Sequence, residues 1–482
     1  ALEVLCAWHG FFYDSHNAAA DVDATVNDNT FSGLVTISSN ATSLSGTLAI
    51  VTSVLDDDNA GTPKVDGSAA LPITLTDTSI TADEFVALVA KTTGKITTTI
   101  SQTTDGELNK LVSPGHALTI VANDATFTAT ELSAYDAATT LPVTFGTTFA
   151  TITGTATDII TALNSSGFGA YPSDLIITVN SGTTSVAQAN ILDAKTTGKV
   201  TATISNGDMA SLNTLTGTGN AYTVTVTDAN VLASDVNALN AKTTVAVGLD
   251  NVQQITGSLA DIKALYAADD GNTLTISAED ETINITDTTV VAADLTAIRA
   301  DATAGTDGTV NLTNITTLTG TSAEVETVLG GYANVIGMPA NVAVTVSEAT
   351  VDAANLVDIS ALTTGLITID TSTATSISGT FAEATNALKL SKLVADATAD
   401  ATGVEAVRIA GVSGLPVTIT DNITGATAVA VADKISTDYT SIGAVTATVL
   451  PAAATDISTF IDSTHANYIK PGSSLNVAGV QG

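Results

Sequence analysis

The stretch LPITLTDTSITADEFVALVAKTTG, residues 71–94, joins a strand pattern to a helix pattern. Its first half alternates apolar residues with threonine at residues 73–76, which is typical of a strand with one buried and one exposed face. Asp77 follows, and then Phe85 and Leu88 stand at helical spacing. Because the closing Thr-Thr-Gly breaks a helix, the stretch predicts one strand followed by one helix.

Copies of this strand–helix segment recur along the chain. Close copies begin at Leu175, Tyr222 and Val342, and looser copies begin at Leu118, Ile283 and Val417. Several helix starts have Ser or Thr followed three residues later by Glu or Gln, which is the spacing of a capping box. The pairs are Thr81 with Glu84, Thr128 with Glu131, and Ser185 with Gln188. The segment is therefore interpreted as a structural repeat.

A second strand–helix segment, as in TTLTGTSAEVETVL at residues 316–329, has a glycine just before its helix. We expect this glycine to let the chain leave the strand with a positive φ. It recurs as Gly46, Gly154, Gly257, Gly320 and Gly379. Capping-box spacing follows at Thr155 with Asp158, Ser258 with Asp261, Thr321 with Glu324, and Thr380 with Glu383.

The two segments alternate over residues 34–482, in about sixteen strand–helix passes of roughly 30 residues each. A helix between two strands returns the chain to the same end of the sheet, so the strands are expected to pair in parallel. We predict an α/β repeat solenoid with a parallel sheet. Inserts near residues 56–70, 267–282 and 393–411 are expected to form loops or small hairpins. Tandem immunoglobulin-like sandwiches are the alternative architecture, but they leave the capping boxes unexplained.

The chain is strongly acidic, with 49 Asp and Glu residues against 14 Lys and Arg residues and a net charge of −35. Binding to nucleic acid requires clustered basic residues, so this class of partner is not expected. The same charge repels an anionic lipid surface. No segment approaches the roughly 20 apolar residues of a membrane span, so membrane insertion is not expected either.

The sequence lacks the usual catalytic motifs. Its four histidines, His9, His16, His116 and His465, are too far apart in sequence to suggest a triad, and neither Gly-x-Ser-x-Gly nor His-Glu-x-x-His occurs. The recurring Ala-Lys-Thr-Thr-Gly does not have phosphate-loop spacing, because Lys91 precedes its glycine. We therefore predict a protein that is not an enzyme and that needs no cofactor, with calcium as the one candidate ion.

Carboxylates follow several of the predicted strands, at Asp77, Asp228, Asp287 and Asp421. In a stack of coils they are candidates for a ladder that binds calcium weakly. Calcium, however, requires six to eight oxygen ligands, and neither an EF-hand nor a calcium-binding nonapeptide is present. The alternative is that each Asp forms an Asx turn into the next segment.

The N-terminal segment at residues 1–33 is predicted to be separate from the repeats and to form a joint between subunits. It begins with ALEVLCAWHGFFYD, which is unusually apolar for this chain. The candidate joint residues are Leu2, Val4, Leu5, Trp8, Phe11, Phe12 and Tyr13. Such a segment can add to the end coil of a neighbouring subunit, or it can fold back over its own first coil as a cap.

Six Asn-x-Ser/Thr sequons would permit N-glycosylation if the host has the machinery. They are Asn40, Asn164, Asn284, Asn311, Asn314 and Asn422. In a chain this rich in Thr and Asn, several are expected by chance. The sequence starts at Ala1 without Met, which fits a mature chain after removal of a signal peptide.

The patterns AKTTG, TLTGT and SLADIKAL resemble the degenerate repeats of large bacterial cell-surface and surface-layer-like proteins, as in marine cyanobacteria. The resemblance covers the chain from about residue 34 and implies an extracellular structural role without catalytic residues. We therefore expect a secreted protein that joins with copies of itself, head to tail, into a filament, sheath or surface layer. The alternative function is a calcium-dependent adhesin or a module that binds cell-surface glycan.

Overall fold

The computed structural model describes residues 2–5, 12–15, 35–36, 42–60, 65–276, 281–302, 308–331, 335–396, 408–423 and 445–449. The chain divides into two compact units. The first is Ala1–Val224 with Ala241–Val245, and the second is Thr225–Asn240 with Ala246–Gly482. Each unit is an α/β repeat solenoid, so the predicted fold class is confirmed. The predicted boundary between residues 33 and 34 lies outside the described residues.

The helices are short and follow strands throughout both units. They are α1 Leu48–Asp58, α2 Ala82–Val89, α3 Asp105–Leu108, α4 Ala129–Ala138, α5 Ala156–Asn164, α6 Val186–Asp193, α7 Met209–Leu212, α8 Ala233–Asn240, α9 Leu259–Asp270, α10 Ala292–Ala302, α11 Ser322–Leu329, α12 Ala353–Leu362 and α13 Phe381–Asp396. Within the described residues, no helix combines the length and the apolar character needed to cross a membrane.

The strands of the first unit are also short. They are β1 Leu2–Leu5, β2 Phe12–Ser15, β3 Val35–Thr36, β4 Leu44–Gly46, β5 Val65–Asp66, β6 Ile73–Leu75, β7 Ile96–Thr99, β8 Ala117–Thr119, β9 Val121–Ala122, β10 Thr126–Thr128, β11 Thr144–Phe145, β12 Thr151–Gly154, β13 Ile176–Val179, β14 Val200–Thr203 and β15 Ala221–Thr223.

The second unit continues the series with strands of two to seven residues. They are β16 Asn230–Leu232, β17 Val247–Gly248, β18 Gln254–Gly257, β19 Leu274–Thr275, β20 Thr282–Ile285, β21 Thr289–Val291, β22 Thr309–Asn311, β23 Thr317–Gly320, β24 Val335–Ile336, β25 Ala343–Val346, β26 Thr350–Asp352, β27 Ile367–Ile369, β28 Ser376–Gly379, β29 Ile409–Ala410, β30 Val417–Ile423 and β31 Val445–Val449.

Among the described strands of the first unit, pairing is parallel except between β1 and β2. β1 and β2 pair antiparallel. The parallel sheets have the strand orders β4-β6-β7-β8, β10-β12-β13-β14-β15, β3-β5 and β9-β11. In the second unit the sheets are β16-β18-β20-β22-β24, β21-β23-β25-β27-β29, β26-β28-β30-β31 and β17-β19, all parallel. Parallel pairing with intervening helices rules out the alternative of immunoglobulin-like sandwiches.

Parallel pairing is divided over several short sheets instead of continuing through one. Four sheets begin with a strand that directly precedes a helix, namely β10, β16, β21 and β26. The next strand in each of these sheets ends at the glycine that recurs before the second type of helix, namely β12, β18, β23 and β28. The repeated segments thus carry more than one strand each, and the sheets are staggered along each unit.

The core is formed by apolar rows that cross the sheets from coil to coil. In the first unit, the inward row is Phe127, Ile152, Ile177 and Val200, all fully buried. In the second unit, the corresponding row is Val290, Leu318, Val344, Ile367 and Ile409. The alternate residues of these strands are mostly Thr with some Ala, which explains the predicted period of two. Ile176 and Val291 are apolar exceptions, and both are exposed.

The predicted helix starts are confirmed, with one difference of detail. Reciprocal capping boxes form at Thr81, Thr128, Ser185, Thr321 and Thr380. At Thr155 and Ser258 the hydroxyl accepts the N–H three residues on, but the Asp carboxylate bonds to that hydroxyl and not to the backbone. The Asp side chain is one methylene shorter than Glu, so it does not reach the N-cap N–H.

The glycine before the second type of helix has two physical roles. Gly154 and Gly320 have the expected positive φ, at 148° and 156°. At Gly257 and Gly379 the cause is a close approach, since an added Cβ would lie 2.9 Å from Ala233 Cβ and 2.8 Å from Ala353 Cβ. Both alanines are the first residue of a helix in the preceding coil, so a side chain at the glycine would separate the coils.

The three predicted inserts begin inside helices, and the expectation of loops or hairpins is wrong for their first residues. Asp56 lies in α1, Ala267 lies in α9 and Leu393 lies in α13, which are helices of 11, 12 and 16 residues. Each insert therefore first extends the helix beyond the eight residues that α2, α6 and α11 have. An extra helical turn keeps its backbone hydrogen bonds within itself, whereas a loop of equal length does not.

Candidate functional site

Three of the four predicted carboxylates cap helices that belong to the preceding coil. The N–H of Leu48 donates to Asp77 at 2.6 Å, that of Leu259 to Asp287 at 2.5 Å, and that of Phe381 to Asp421 at 2.8 Å. Each donor is the first residue of its helix. A carboxylate at a helix N-terminus satisfies a free N–H and interacts favourably with the helix dipole.

The fourth carboxylate, Asp228, lies half-buried in the segment that leads into β16. Among the described residues, no group of three or more His, Cys, Asp or Glu side chains is arranged to hold a metal ion. The sequence suggested a calcium ladder or an Asx turn. The carboxylates of Asp77, Asp287 and Asp421 are instead observed to bond to the helix start of another coil. Calcium binding at these positions stays a prediction.

Sequence reasoning missed four further residues with the same role. The N–H of Ser322 donates to Glu348, that of Ala82 to Gln102, that of Val186 to Asn206, and that of Asp105 to Asp124. All seven acceptors stand two residues after a buried apolar residue that lies in a strand or directly follows one. This spacing is the signal that finds them, and it includes Asn and Gln, which a search for carboxylates overlooks.

The Thr-Thr pair that ends many of the helical segments, usually followed by Gly, also connects adjacent coils. The Thr363 hydroxyl donates to the Val342 carbonyl at 2.6 Å and accepts the Gly365 N–H at 2.9 Å. The next N–H, of Thr364, donates to the Ala340 carbonyl at 2.8 Å. The same arrangement of hydroxyl and N–H recurs at Thr92, Thr139, Thr196 and Thr243.

The glycine of the motif is required where the two coils approach each other. A Cβ on Gly94 would lie 1.8 Å from the Leu71 carbonyl oxygen, and one on Gly365 would lie 2.2 Å from that of Val342. The motif is thus a contact between coils, and its recurrence along the sequence follows from the recurrence of that contact. No group of a phosphate-binding loop is involved.

His116 and Asn220 occupy equivalent positions in different coils. His116 is buried, its Nδ1 accepts the Ile96 N–H at 3.0 Å, and its ring lies edge-on to Phe85 with centroids 5.2 Å apart. The Asn220 side-chain oxygen accepts the Val200 N–H at 2.9 Å in the same way. His116 therefore acts as a structural hydrogen-bond acceptor between coils.

The bond accepted by His116 makes the stability of the first unit depend on pH. Burial lowers the pKa of His116, and the charge of Lys95 lowers it further. A histidine in an unfolded chain has a pKa of about 6.5. Stabilisation by the neutral ring is therefore fully present above that pH and is lost as the pH falls, because the unfolded chain takes up the proton first.

We expect His116→Asn to remove this component of the pH dependence, since Asn makes the same bond at position 220 and does not titrate. Urea unfolding of both proteins between about pH 7.5 and about pH 5.5 measures the effect. The free energy of unfolding of the wild type should fall relative to that of the variant as the pH is lowered. A constant difference across this range would show that the ring is not held neutral.

A surface depression of about 400 Å³ in the second unit lies beside the start of α9. Its lining includes Lys263, Asp287 and Asp294, and the Lys263 ammonium pairs with the Asp294 carboxylate. Asp287 is already engaged as the cap of α9. The Ser258 hydroxyl in the same lining accepts the Asp261 N–H as the N-cap of α9, so it too is engaged in a structural bond.

Five of the seven predicted joint residues lie in the N-terminal hairpin. Leu2, Val4 and Leu5 are in β1, whereas Phe12 and Tyr13 are in β2. The backbone register pairs Val4 with Tyr13 and Leu5 with Phe12. The other two, Trp8 and Phe11, lie outside the described residues.

The fold and the bonds between coils define a protein of the repeat-solenoid class. No family model matches the chain, and neither a curated protein nor a solved structure matches it. Its function is therefore argued from its own residues.

Proposed function

We propose that this chain is a secreted structural protein, without catalytic activity, that assembles end to end into an extracellular filament, sheath or surface layer. The observation that supports the proposal is the bonding between coils, in which later coils repeatedly supply helix caps and threonine contacts to the coil before them. Asp287 caps α9 in this way, and Thr363 bonds to Val342. A terminal coil of such a stack leaves these donors and acceptors unpaired unless another unit continues it.

The partner that fits the exposed face of a terminal coil is a second copy of the chain. Polar groups are used repeatedly for contacts between coils, as in the Lys91–Asp56 and Lys110–Asp83 ion pairs. A copy of the same chain offers the same strand edges, helix starts and Thr-Thr motifs in complementary order. The charge of −35 disfavours nucleic acid and anionic surfaces, but it also makes the subunits repel one another.

We expect assembly to strengthen with salt, because screening reduces the repulsion between acidic subunits. Light scattering against NaCl and against CaCl₂ at equal ionic strength measures the response, and negative-stain micrographs identify filaments or sheets. Equal responses to the two salts indicate screening alone, whereas a larger response to CaCl₂ indicates bridging by calcium. If the protein stays monodisperse in both salts, end-to-end assembly is wrong.

The N-terminal hairpin is the proposed joint, and deletion of residues 1–14 tests it. An intermolecular role predicts a soluble, folded monomer that no longer scatters light in salt, because the hairpin completes a neighbour's end coil. Circular dichroism shows whether the shortened chain is folded. A shortened chain that aggregates or does not fold would show instead that the segment is a cap on its own first coil.

A further inference from the structure

The Asn-x-Ser/Thr sequons differ in the exposure and the hydrogen bonding of their Asn amides. Four of them have described side chains, namely Asn164, Asn284, Asn311 and Asn314. N-glycosylation attaches a sugar to the amide nitrogen, so the amide must be accessible and free of other bonds. The condition of each amide therefore decides which sequons the folded protein can use.

Three of the amides donate hydrogen bonds across coils. The Asn311 amide donates to the Asn284 side-chain oxygen at 3.0 Å, and the Asn284 amide donates to Thr256 Oγ1 at 3.5 Å. The Asn314 amide donates to the Ile285 carbonyl at 3.2 Å. Asn284 and Asn311 also lie on adjacent paired strands, β20 and β22, where a glycan would have to stand over the sheet.

Asn164 differs from these three in position and bonding. It is the last residue of α5, it is exposed, and its amide makes no hydrogen bond within the described part of the chain. Ser165 follows with φ −68° and ψ 137°, which is extended backbone. The helix ends at Asn164, the first residue of the sequon, and Ser165 and Ser166 lie beyond the helix.

The middle residue of this sequon, Ser165, is held by two hydrogen bonds. The Ser165 hydroxyl donates to the Asp136 carboxylate at 2.9 Å and accepts the Gly167 N–H at 3.0 Å. In extended backbone, residues i and i+2 lie on the same side. Because Ser165 bonds inward, Asn164 and Ser166 are both presented to solvent, and both are exposed.

We propose that, of the four sequons whose side chains the structure describes, Asn164 is the one at which the folded protein accepts an N-linked glycan. The co-reactant is an oligosaccharide carried on a polyprenyl diphosphate. The Asn164 amide nitrogen forms a bond to C1 of the first sugar, the bond between C1 and the phosphate oxygen breaks, and the polyprenyl diphosphate leaves with that electron pair. The amide nitrogen loses one proton to a base of the transferase. This proposal does not depend on end-to-end assembly.

The test uses the purified, folded full-length chain with a single-subunit oligosaccharyltransferase and a polyprenyl-diphosphate oligosaccharide. Peptide mapping by mass spectrometry should find the glycan on Asn164 and not on Asn284, Asn311 or Asn314. Asn164→Gln and Ser166→Ala should abolish the modification at this site, whereas Ser166→Thr should retain it. Proteolytic peptides of the same chain, offered to the same enzyme, should be modified at all four sequons, since they lack the bonds between coils.

Two results would overturn the proposal. One is a folded chain modified at all four sequons as its peptides are, because the fold would then not select the site. The other is a folded chain that is unmodified at Asn164 while the Asn164 peptide in the same tube is modified, because the site would then be inaccessible.

Discussion

We expect Leu265→Asp to unfold several neighbouring coils of the second unit together, and Ala264→Asp to leave the unit folded. Leu265 is fully buried in α9, which packs against α8 and α10. A carboxylate at this position either remains charged in an apolar core or must be protonated, and the lost packing adds to the cost. We expect a loss of at least about 4 kcal/mol in the free energy of unfolding.

The adjacent Ala264 is the matched control, because it is exposed and receives the same charge on the same helix. Hydrogen exchange read by mass spectrometry locates the effect along the chain. Protection should be lost in the helices around α9 first, since each coil of a solenoid contacts only its neighbours. Uniform loss of protection over the whole chain would contradict this nearest-neighbour organisation.

Thr363→Val has the second-largest expected effect, although the two side chains have almost the same shape. Thr363 is 2% exposed. Replacing its hydroxyl by a methyl group leaves the Val342 carbonyl and the Gly365 N–H without this partner in a buried contact. A buried polar group that loses its partner costs more than a hydrogen bond contributes, so we expect a loss of about 2 to 3 kcal/mol.

Thr364→Val is the control for this experiment. Thr364 also bonds to the preceding coil, through Oγ1 to the Ala340 carbonyl at 3.1 Å, but it is exposed and water can replace the hydroxyl. Urea unfolding should therefore separate the two variants clearly. If both variants lose the same small amount of stability, the Thr-Thr motif is not a contact that holds the coils together.

The local elements could be predicted because their determinants lie close together in the chain. A capping box needs two residues three positions apart, as in Thr321 and Glu324, and a buried strand needs only alternate apolar residues. The parallel pairing also follows, because helices between strands leave the chain no short antiparallel path. The fold class was thus accessible without coordinates.

The candidate site was predicted only in part, because its partners come from other coils. Asp77 and Asp287 were recognised as functional positions from their place after a strand, but their partners, Leu48 and Leu259, precede them by almost a whole coil. The equivalent roles of Gln102 and Asn206 were missed, since residue type alone does not reveal an acceptor. His116 and Asn220 share a role that only the hydrogen bonds identify.

By itself, the sequence determined the strands, the helix starts, the α/β repeat and the acidic charge, all of which depend on residue types and short spacings. The tertiary structure alone decided which helix each acceptor caps, how the strands divide into separate sheets, where the chain splits into two units, and which sequon amides are free. These depend on which residues of different coils meet. The register in which whole coils stack determines those contacts, and no short stretch of the chain specifies that register.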